Sequence, residues 1–205
     1  MITVCCWFWG DKYSPDYVNK LGEGVRRHLK QPHRFVCFSP DNELTRLPGC
    51  FARLQMFDPQ WQAENGIDDR LVCIDIDTVI TGPLDPLFDR PEQFVILQGI
   101  NVTNPCRFSG ALMMLRPGAH PEVWSDFTYA KARGMKFRFL PDDQGWIYNK
   151  LGSAPGWKPR DGVYGFHKPG WGMTDDLPHG ARLVTFAAKD DPAHWDHLQW
   201  VKDNW

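Results

Sequence analysis

Hydrophobic positions along the chain fall into short continuous runs separated by segments of helical periodicity. Residues 2–9 form an apolar, β-rich run, which is typical of a buried strand in a parallel sheet. Residues 14–30 carry apolar side chains at helical spacing behind a Ser-Pro start, and residues 35–38 form a second apolar run. A strand, a helix and a strand in this order predict parallel pairing with a right-handed crossover.

The rest of the chain continues this alternation. Further strands are predicted at 70–74, continuing through 78–80, and at 94–98, 111–115 and 183–186. Helices are predicted at 121–132, 143–151 and 192–205, with a short helix at 50–57, at most a helical turn at 84–88 and an irregular Gly-rich region at 152–172. The elements predict an α/β fold, a Rossmann-like domain whose mixed, mostly parallel central sheet of about six strands is flanked by helices.

Length and composition agree with a globular protein. The chain has 205 residues, which fits one domain, and 42% of them are hydrophobic against 23% charged. The net charge of −2 gives no field that would gather nucleic acid or anionic lipid. No apolar run reaches the roughly 18 residues of a membrane span, and the six cysteines lack C-x-x-C spacing. These features predict a soluble, cytoplasmic protein.

The sharpest chemical feature is Asp75-Ile76-Asp77 at the end of a buried strand. Side chains at i and i+2 of an extended segment point the same way, so both carboxylates are expected to face one point. Such a pair is costly at a strand end unless a cation or a proton neutralises it, and hard divalent cations suit oxygen ligands. The sequence therefore predicts a Mg²⁺ or Mn²⁺ site, with a solvated turn as the alternative.

The residues after this pair give it a family context. The strand, the D-x-D and the following G-P-L-D-P-L-F turn in 71–88 resemble the D-x-D region of GT-A glycosyltransferases, most of all family 8 and its small bacterial and phage relatives. Further similarities occur in the expected order at 13–19, 25–29, 35–41, 108–113 and 143–144 and near the C-terminus. The resemblance covers most of the chain.

This resemblance implies a fold and an activity. The fold is a single GT-A-like domain over 1–205, with a nucleotide-binding half at 1–80 and an acceptor and sugar half at 81–205. The activity is a metal-dependent transfer of a hexose from a nucleotide-diphosphate donor, a UDP-sugar, with retention of anomeric configuration. The cofactor is Mn²⁺ or Mg²⁺. The acceptor stays open among a glycan, a lipid-linked glycan, a protein and a modified nucleic acid, and the sequence does not define an oligomeric state.

The resemblance also implies roles for individual residues. Asp75 and Asp77 would hold the metal, and Asp143 and Gln144 would be the catalytic residues beside the transferred sugar. The donor would be bound by Trp9, Asp41, Arg53, Asp75 and Lys189. From the residues alone, Asp41 is also typical of a turn, and Asp142 or Asp143 would suit a helix N-cap.

Some positions depart from the family pattern. Ala187 stands where relatives usually carry a third metal ligand, a His. Water, His167 or His194 could fill the vacant coordination position. Phe108 replaces an Asn that relatives often carry, so donor choice could differ. Tryptophan rings stack well on sugars, so Trp157 or Trp171 could line an acceptor cleft.

Two other functions fit the same motif. A haloacid-dehalogenase-like phosphatase would use Asp75 as its nucleophile and Asp77 as its acid/base. That class usually carries this strand near its N-terminus, whereas 74 residues precede Asp75 here. The second alternative, motivated by Ala187, is a GT-A-like module that binds a nucleotide or glycan without turnover.

Overall fold

A computed structural model of the chain describes residues 1–100, 106–135, 141–186 and 190–205. Its strands are β1 (Ile2–Trp7), β2 (His33–Phe38), β3 (Leu71–Ile74), β4 (Thr78–Ile80), β5 (Phe94–Gln98), β6 (Phe108–Leu115), β7 (Val163–Gly165) and β8 (Leu183–Thr185). Its α-helices are α1 (Asp16–His28), α2 (Pro59–Glu64), α3 (Asp85–Phe88), α4 (Glu122–Ser125), α5 (Tyr129–Arg133), α6 (Asp143–Leu151) and α7 (Gln199–Asn204). The 3₁₀ helices are Glu43–Arg46, Phe51–Phe57, Pro159–Asp161 and Pro192–Trp195.

The main sheet has five strands in the order β2-β1-β3-β6-β5. β1 runs parallel to β2 and to β3, whereas β6 runs antiparallel to β3 and β5. The adjacent cysteines Cys5 and Cys6 of β1 pack into the cores on opposite faces of this sheet, which is the alternation expected of a strand covered on both sides. The mixed α/β sheet flanked by helices, as expected from the sequence, is confirmed.

The segment after β3 differs from the prediction. Residues 78–80 do not continue β3: Ile76 and Asp77 form a turn, and β4 joins a separate sheet of order β4-β8-β7. The Asp75 N–H still donates to the carbonyl of Ala111 in β6 (3.0 Å), but the Asp77 carbonyl accepts from the N–H of Phe186, just after β8 (3.1 Å). The expected sheet of about six strands is therefore five strands plus three. The strands on either side of this turn, β3 and β4, are both buried. The hydrophobic pattern of the sequence therefore did not show that the chain passes from one sheet to the other.

Other differences concern short elements. The helix expected at 121–132 is two helices, because Thr128 is extended and its side chain caps the start of α5. The closing helix is likewise divided into Pro192–Trp195 and α7, and β7 lies within the region expected to be irregular. Trp157 and Trp171 are 1% and 5% exposed and lie in hydrophobic cores. The prediction that they line an acceptor cleft is wrong, because enclosed rings cannot stack on a sugar.

In the part of the chain that the structure describes, no helix is long and apolar enough to span a membrane. All six cysteines are free thiols, four of them buried. The division into halves at 1–80 and 81–205 remains a prediction.

Candidate active site

A cleft of about 270 Å³ opens where β1 and β3 end. Because these strands are parallel, their carboxyl ends meet at one edge of the sheet, which is where open α/β sheets bind ligands. The cleft is lined by Trp7, Trp9, Lys12, Tyr13, Cys50, Arg53, Asp75, Ile76 and Asp77. The structure thus brings together four residues that the sequence singles out, namely Trp9, Arg53 and the two aspartates.

Both carboxylates of the D-x-D line this cleft, although only Asp75 directly follows β3 and Asp77 lies in the turn after it. The hydroxyl of Tyr13 donates a hydrogen bond to Asp77 Oδ2 at 2.7 Å. Burial and the nearby charge of Asp75 raise the pKa of Asp77 to about 7, against the opposing effect of the Tyr13 hydrogen bond. The site therefore holds two mutually repelling carboxylates that a cation would stabilise.

Arg53 joins the D-x-D to a distant part of the chain. It lies in the 3₁₀ helix Phe51–Phe57 and is 8% exposed. Its Nη1 donates to Asp75 Oδ1 and, at 3.1 Å, to the carbonyl of Gly110 in β6, while its Nε donates to Asp143 Oδ2. One guanidinium group thereby binds two carboxylates, one directly after β3 and one in the first turn of α6, with the fork geometry that arginine provides.

The start of α6 places Asp143 and Gln144. The side chain of Asp142, not that of Asp143, is the N-cap, since it accepts from the N–H of Gly145 at 2.7 Å. Asp143 is only 2% exposed. Burial raises its pKa to about 6, with Arg53 opposing that rise, so Asp143 is ionised at neutral pH. Its Oδ2 is bound to Arg53, and almost none of the side chain is exposed to solvent.

Gln144 is fixed by both ends of its amide. Its Oε1 accepts from the N–H of Gly110 at 3.2 Å, and its Nε2 donates to Asp142 Oδ2 at 2.9 Å. Gly110 thus contacts both Gln144 and, through its carbonyl, Arg53. Gly110 lies in β6, and the next residue of that strand, Ala111, accepts a hydrogen bond from the N–H of Asp75. The expected catalytic pair and the D-x-D therefore lie beside the same strand.

Gly110 leaves no room for a side chain at this point. A Cβ there would lie 2.8 Å from Arg53 Nη2 and 3.0 Å from Asp143 Oδ2. Gly110→Ala is therefore expected to displace the guanidinium from Asp143 and to destabilise the fold by about 1–3 kcal/mol, a shift of about 5 °C in the midpoint of thermal unfolding. Gly134→Ala, whose Cβ would come no nearer than 3.4 Å to another atom, is the matched control. Equal midpoints for the two variants would contradict this interpretation.

The remaining sequence candidates have mixed outcomes. Asp41 is exposed and does not line the cleft, and its expected donor contact stays a prediction. His167 pairs with Asp175 at 2.7 Å, and His194 is exposed on the 3₁₀ helix Pro192–Trp195; neither lines the cleft. Lys189 and Ala187 lie outside the described residues.

Two tyrosines at the site received no role from the sequence. Tyr13 binds Asp77, and its ring lies 4.9 Å from that of Tyr17, whose hydroxyl donates to Asp191 at 2.7 Å. Asp191 in turn caps the helix Pro192–Trp195. In the sequence, the four-residue spacing of these tyrosines near the start of α1 was the one sign that they contact each other. Together the two side chains link the D-x-D to the C-terminal part of the chain.

The cleft supplies two of the oxygen ligands that a hard divalent cation needs. Asp75 and Asp77 offer carboxylate oxygens at one cleft, where burial and the charge of Asp75 raise the pKa of Asp77. Within residues 1–100, 106–135, 141–186 and 190–205, no three His, Cys, Asp or Glu side chains are grouped to hold a metal. Two protein ligands remain compatible with Mg²⁺, which commonly keeps several waters.

Comparison with known proteins supports the fold. No protein-family model and no curated protein sequence matches the chain. Among solved structures, it is similar to a glycosyltransferase involved in the glycosylation of the major capsid of PBCV-1, with 13% identity, a TM-score of 0.64, and 96% of this chain and 97% of that chain covered. The galactosyltransferase LgtC, solved with donor and acceptor sugar analogs, gives 12% identity, a TM-score of 0.65, and coverage of 99% and 93%.

GlyE of Streptococcus pneumoniae TIGR4, another glycosyltransferase, matches with 10% identity and a TM-score of 0.61, covering 98% of this chain and 63% of GlyE. These similarities show that the chain has the GT-A fold of glycosyltransferases, as its sequence resemblance indicated. At such identities they establish the fold alone.

Proposed function

We propose that this chain is a metal-dependent glycosyltransferase that moves a hexose from a UDP-sugar to an acceptor with retention of configuration. The observation that carries the proposal is the pair of carboxylates, Asp75 and Asp77, lining one cleft at the strand ends of a GT-A fold. That position is where a nucleotide diphosphate reaches the carboxyl ends of β1 and β3.

Negative charge develops on the diphosphate as its bond to the sugar breaks. Mn²⁺ or Mg²⁺ held by Asp75 and Asp77 would stabilise that charge. Lys12 lines the same cleft, with its ammonium 4.3 Å from the centre of the Tyr13 ring, and adds a protein cation for the diphosphate. The partly buried ring of Trp9 offers a face for the nucleoside. Asp41 and Lys189 complete the proposed donor contacts.

Asp143 and Gln144 are proposed to bind the transferred sugar. Arg53 orients Asp143, and Gly110 holds Gln144, so both side chains keep fixed positions beside Arg53 and β6. Retention is supported by the state of Asp143: a buried carboxylate bonded to an arginine is a poor general base for activating an acceptor from the opposite side. The six free cysteines support a reducing compartment, and we propose the cytoplasm.

The direct test is turnover with a panel of nucleotide sugars. We expect the purified chain with Mn²⁺ to hydrolyse or transfer at least one UDP-sugar, and EDTA to abolish this activity until Mn²⁺ is added in excess. Binding of UDP without turnover of any donor would favour the non-catalytic binding module. No turnover and no UDP binding would contradict the proposal.

A further inference from the structure

Four cysteines lie in the neighbouring parallel strands β2, β1 and β3, and they form two pairs. Cys6 of β1 lies directly opposite Cys37 of β2, and Cys5 of β1 lies directly opposite Cys73 of β3. Because side chains alternate along β1, the two pairs belong to opposite faces of the sheet. The proposed glycosyl transfer gives neither pair a role.

The spacing of Cys6 and Cys37 suits a covalent bond between their sulfurs. Neighbouring strands lie about 4.7–4.9 Å apart, and the Cα atoms of two cysteines joined by a disulfide are usually about 4.4–6.8 Å apart. Both side chains pack in the same hydrophobic cluster, and a hydrogen bond joins the two thiols. A disulfide can therefore bridge this pair without separating β1 from β2.

The two pairs differ in their access to solvent. Cys5 and Cys73 are 0% and 1% exposed in the interior of the sheet. β2 is an edge strand, and Cys37 is partly exposed on it, whereas its partner Cys6 is buried. A small oxidant in solution therefore meets Cys37 first, and Cys6 lies behind it as the neighbouring thiol.

The hydrogen bond between the thiols gives them different roles. The bond from Cys6 lowers the pKa of the Cys37 thiol to about 7, and a hydrogen bond with Ser39 acts in the same direction against the effect of burial. The same contact, together with burial, raises the pKa of Cys6. Near neutral pH, Cys37 supplies a nucleophilic thiolate and Cys6 keeps its proton, which is the arrangement of an attacking and a resolving thiol.

We propose that Cys37 is a site of reversible oxidation by hydroperoxides, and that Cys6 resolves the product as a disulfide between β2 and β1. The Cys37 sulfur attacks the peroxide: an S–O bond forms, the O–O bond breaks, and hydroxide leaves with the electron pair of that bond. The Cys6 sulfur then attacks the Cys37 sulfur. The S–S bond forms, the S–O bond breaks, and the departing hydroxide takes the Cys6 proton and leaves as water. Two thiols are thereby oxidised to a disulfide, and the peroxide is reduced to water.

This disulfide would lie next to the wall of the active-site cleft. Cys6 directly precedes Trp7, which lines the cleft, and Cys37 directly precedes Phe38, whose ring centroid lies 5.2 Å from that of Trp7. A dithiol reductant reverses the reaction by exchange, so the bond would be transient in a reducing compartment.

The experiment treats the reduced full chain with a small excess of hydrogen peroxide at about pH 7 and maps its disulfides by mass spectrometry. We expect a disulfide that joins the peptides of Cys6 and Cys37, and we expect dithiothreitol to remove it. Cys6→Ala should lose this disulfide and accumulate sulfenic acid at Cys37, which dimedone traps. Cys5→Ala, at the adjacent buried cysteine of β1, is the matched control and should keep the disulfide.

Alkylation of the unmodified chain gives a second measurement that requires no variant to fold. With limiting iodoacetamide at about pH 7, Cys37 is expected to react at least about tenfold faster than Cys50, which is exposed but lies outside the sheet. The proposal is overturned if peroxide forms no disulfide between Cys6 and Cys37, if Cys5 is bridged instead, or if Cys50 is alkylated as fast as Cys37. Neither measurement uses a nucleotide sugar, so the result is independent of glycosyl transfer.

Discussion

Asp77→Asn and Asp75→Asn are each expected to lower kcat/KM for the nucleotide sugar by about 10³-fold, the largest functional effect that the structure predicts. Each substitution keeps the shape of the side chain but removes a charged oxygen ligand from the cleft, so the developing charge on the diphosphate loses the stabilisation that a bound cation supplies. The measurement is steady-state turnover at saturating Mn²⁺, with Asp196→Asn, an exposed carboxylate outside the cleft, as the control.

The stability of Asp77→Asn distinguishes an effect on the reaction from an effect on folding. Because burial and Asp75 raise the pKa of Asp77 to about 7, above its value in the unfolded chain, the protonated form favours the fold. Stability from this group is present at low pH and is lost as the pH rises through 7. In EDTA at pH 8, Asp77→Asn is therefore expected to unfold at or above the temperature of the unmodified chain. Full metal-dependent turnover by either variant would contradict the assigned role.

Arg53→Met is expected to have the largest effect on stability. It removes the guanidinium that pairs with Asp143 and Asp75 and leaves Asp143, 2% exposed, as an uncompensated charge. Breaking a buried pair in this way costs about 3–5 kcal/mol, which corresponds to a fall of about 10 °C in the midpoint of thermal unfolding for a chain of this size. Turnover is expected to fall as well, since Asp143 loses its orientation.

The pH dependence of this variant has a definite sign. Burial raises the pKa of Asp143 to about 6, above its unfolded value, so stability is lost as the pH rises through 6. Without Arg53 the loss is expected to grow, and the variant should be less stable relative to the unmodified chain at pH 8 than at pH 5. Adding Asp143→Asn should recover most of the stability but not the turnover. An Arg53→Met variant that unfolds within about 2 °C of the unmodified chain would contradict the role given to this pair.

The parallel strands could be predicted from the sequence because they are buried on both faces and read as continuous apolar runs. β1 and β3 show this directly, whereas β2 is an edge strand of intermediate exposure whose apolar run is limited to residues 35–38. The separation of β4 from β3 could not be predicted by the same argument. β4 is also buried, and its antiparallel partner β8 lies more than 100 residues later, so its apolar pattern is the same in either sheet.

Some features of the candidate site could likewise be predicted from the sequence, and others could not. The D-x-D and Asp143-Gln144 are local motifs, and the structure places both beside β6. The bond from Tyr13 to Asp77 joins residues 64 positions apart, and the bond from Arg53 to Asp143 joins residues 90 positions apart. Such pairs depend on the tertiary fold, and a single sequence carries no periodic signal for them.

The most direct measurement is calorimetric titration of the chain with UDP, first with Mn²⁺ and then with EDTA. If Asp75 and Asp77 hold a cation for the diphosphate, UDP binds with Mn²⁺, binds at least about tenfold more weakly in EDTA, and loses this difference in Asp77→Asn. Equal affinity for UDP with and without Mn²⁺ in the unmodified chain, or a metal effect that survives Asp77→Asn, would show that these carboxylates do not form a metal and diphosphate site.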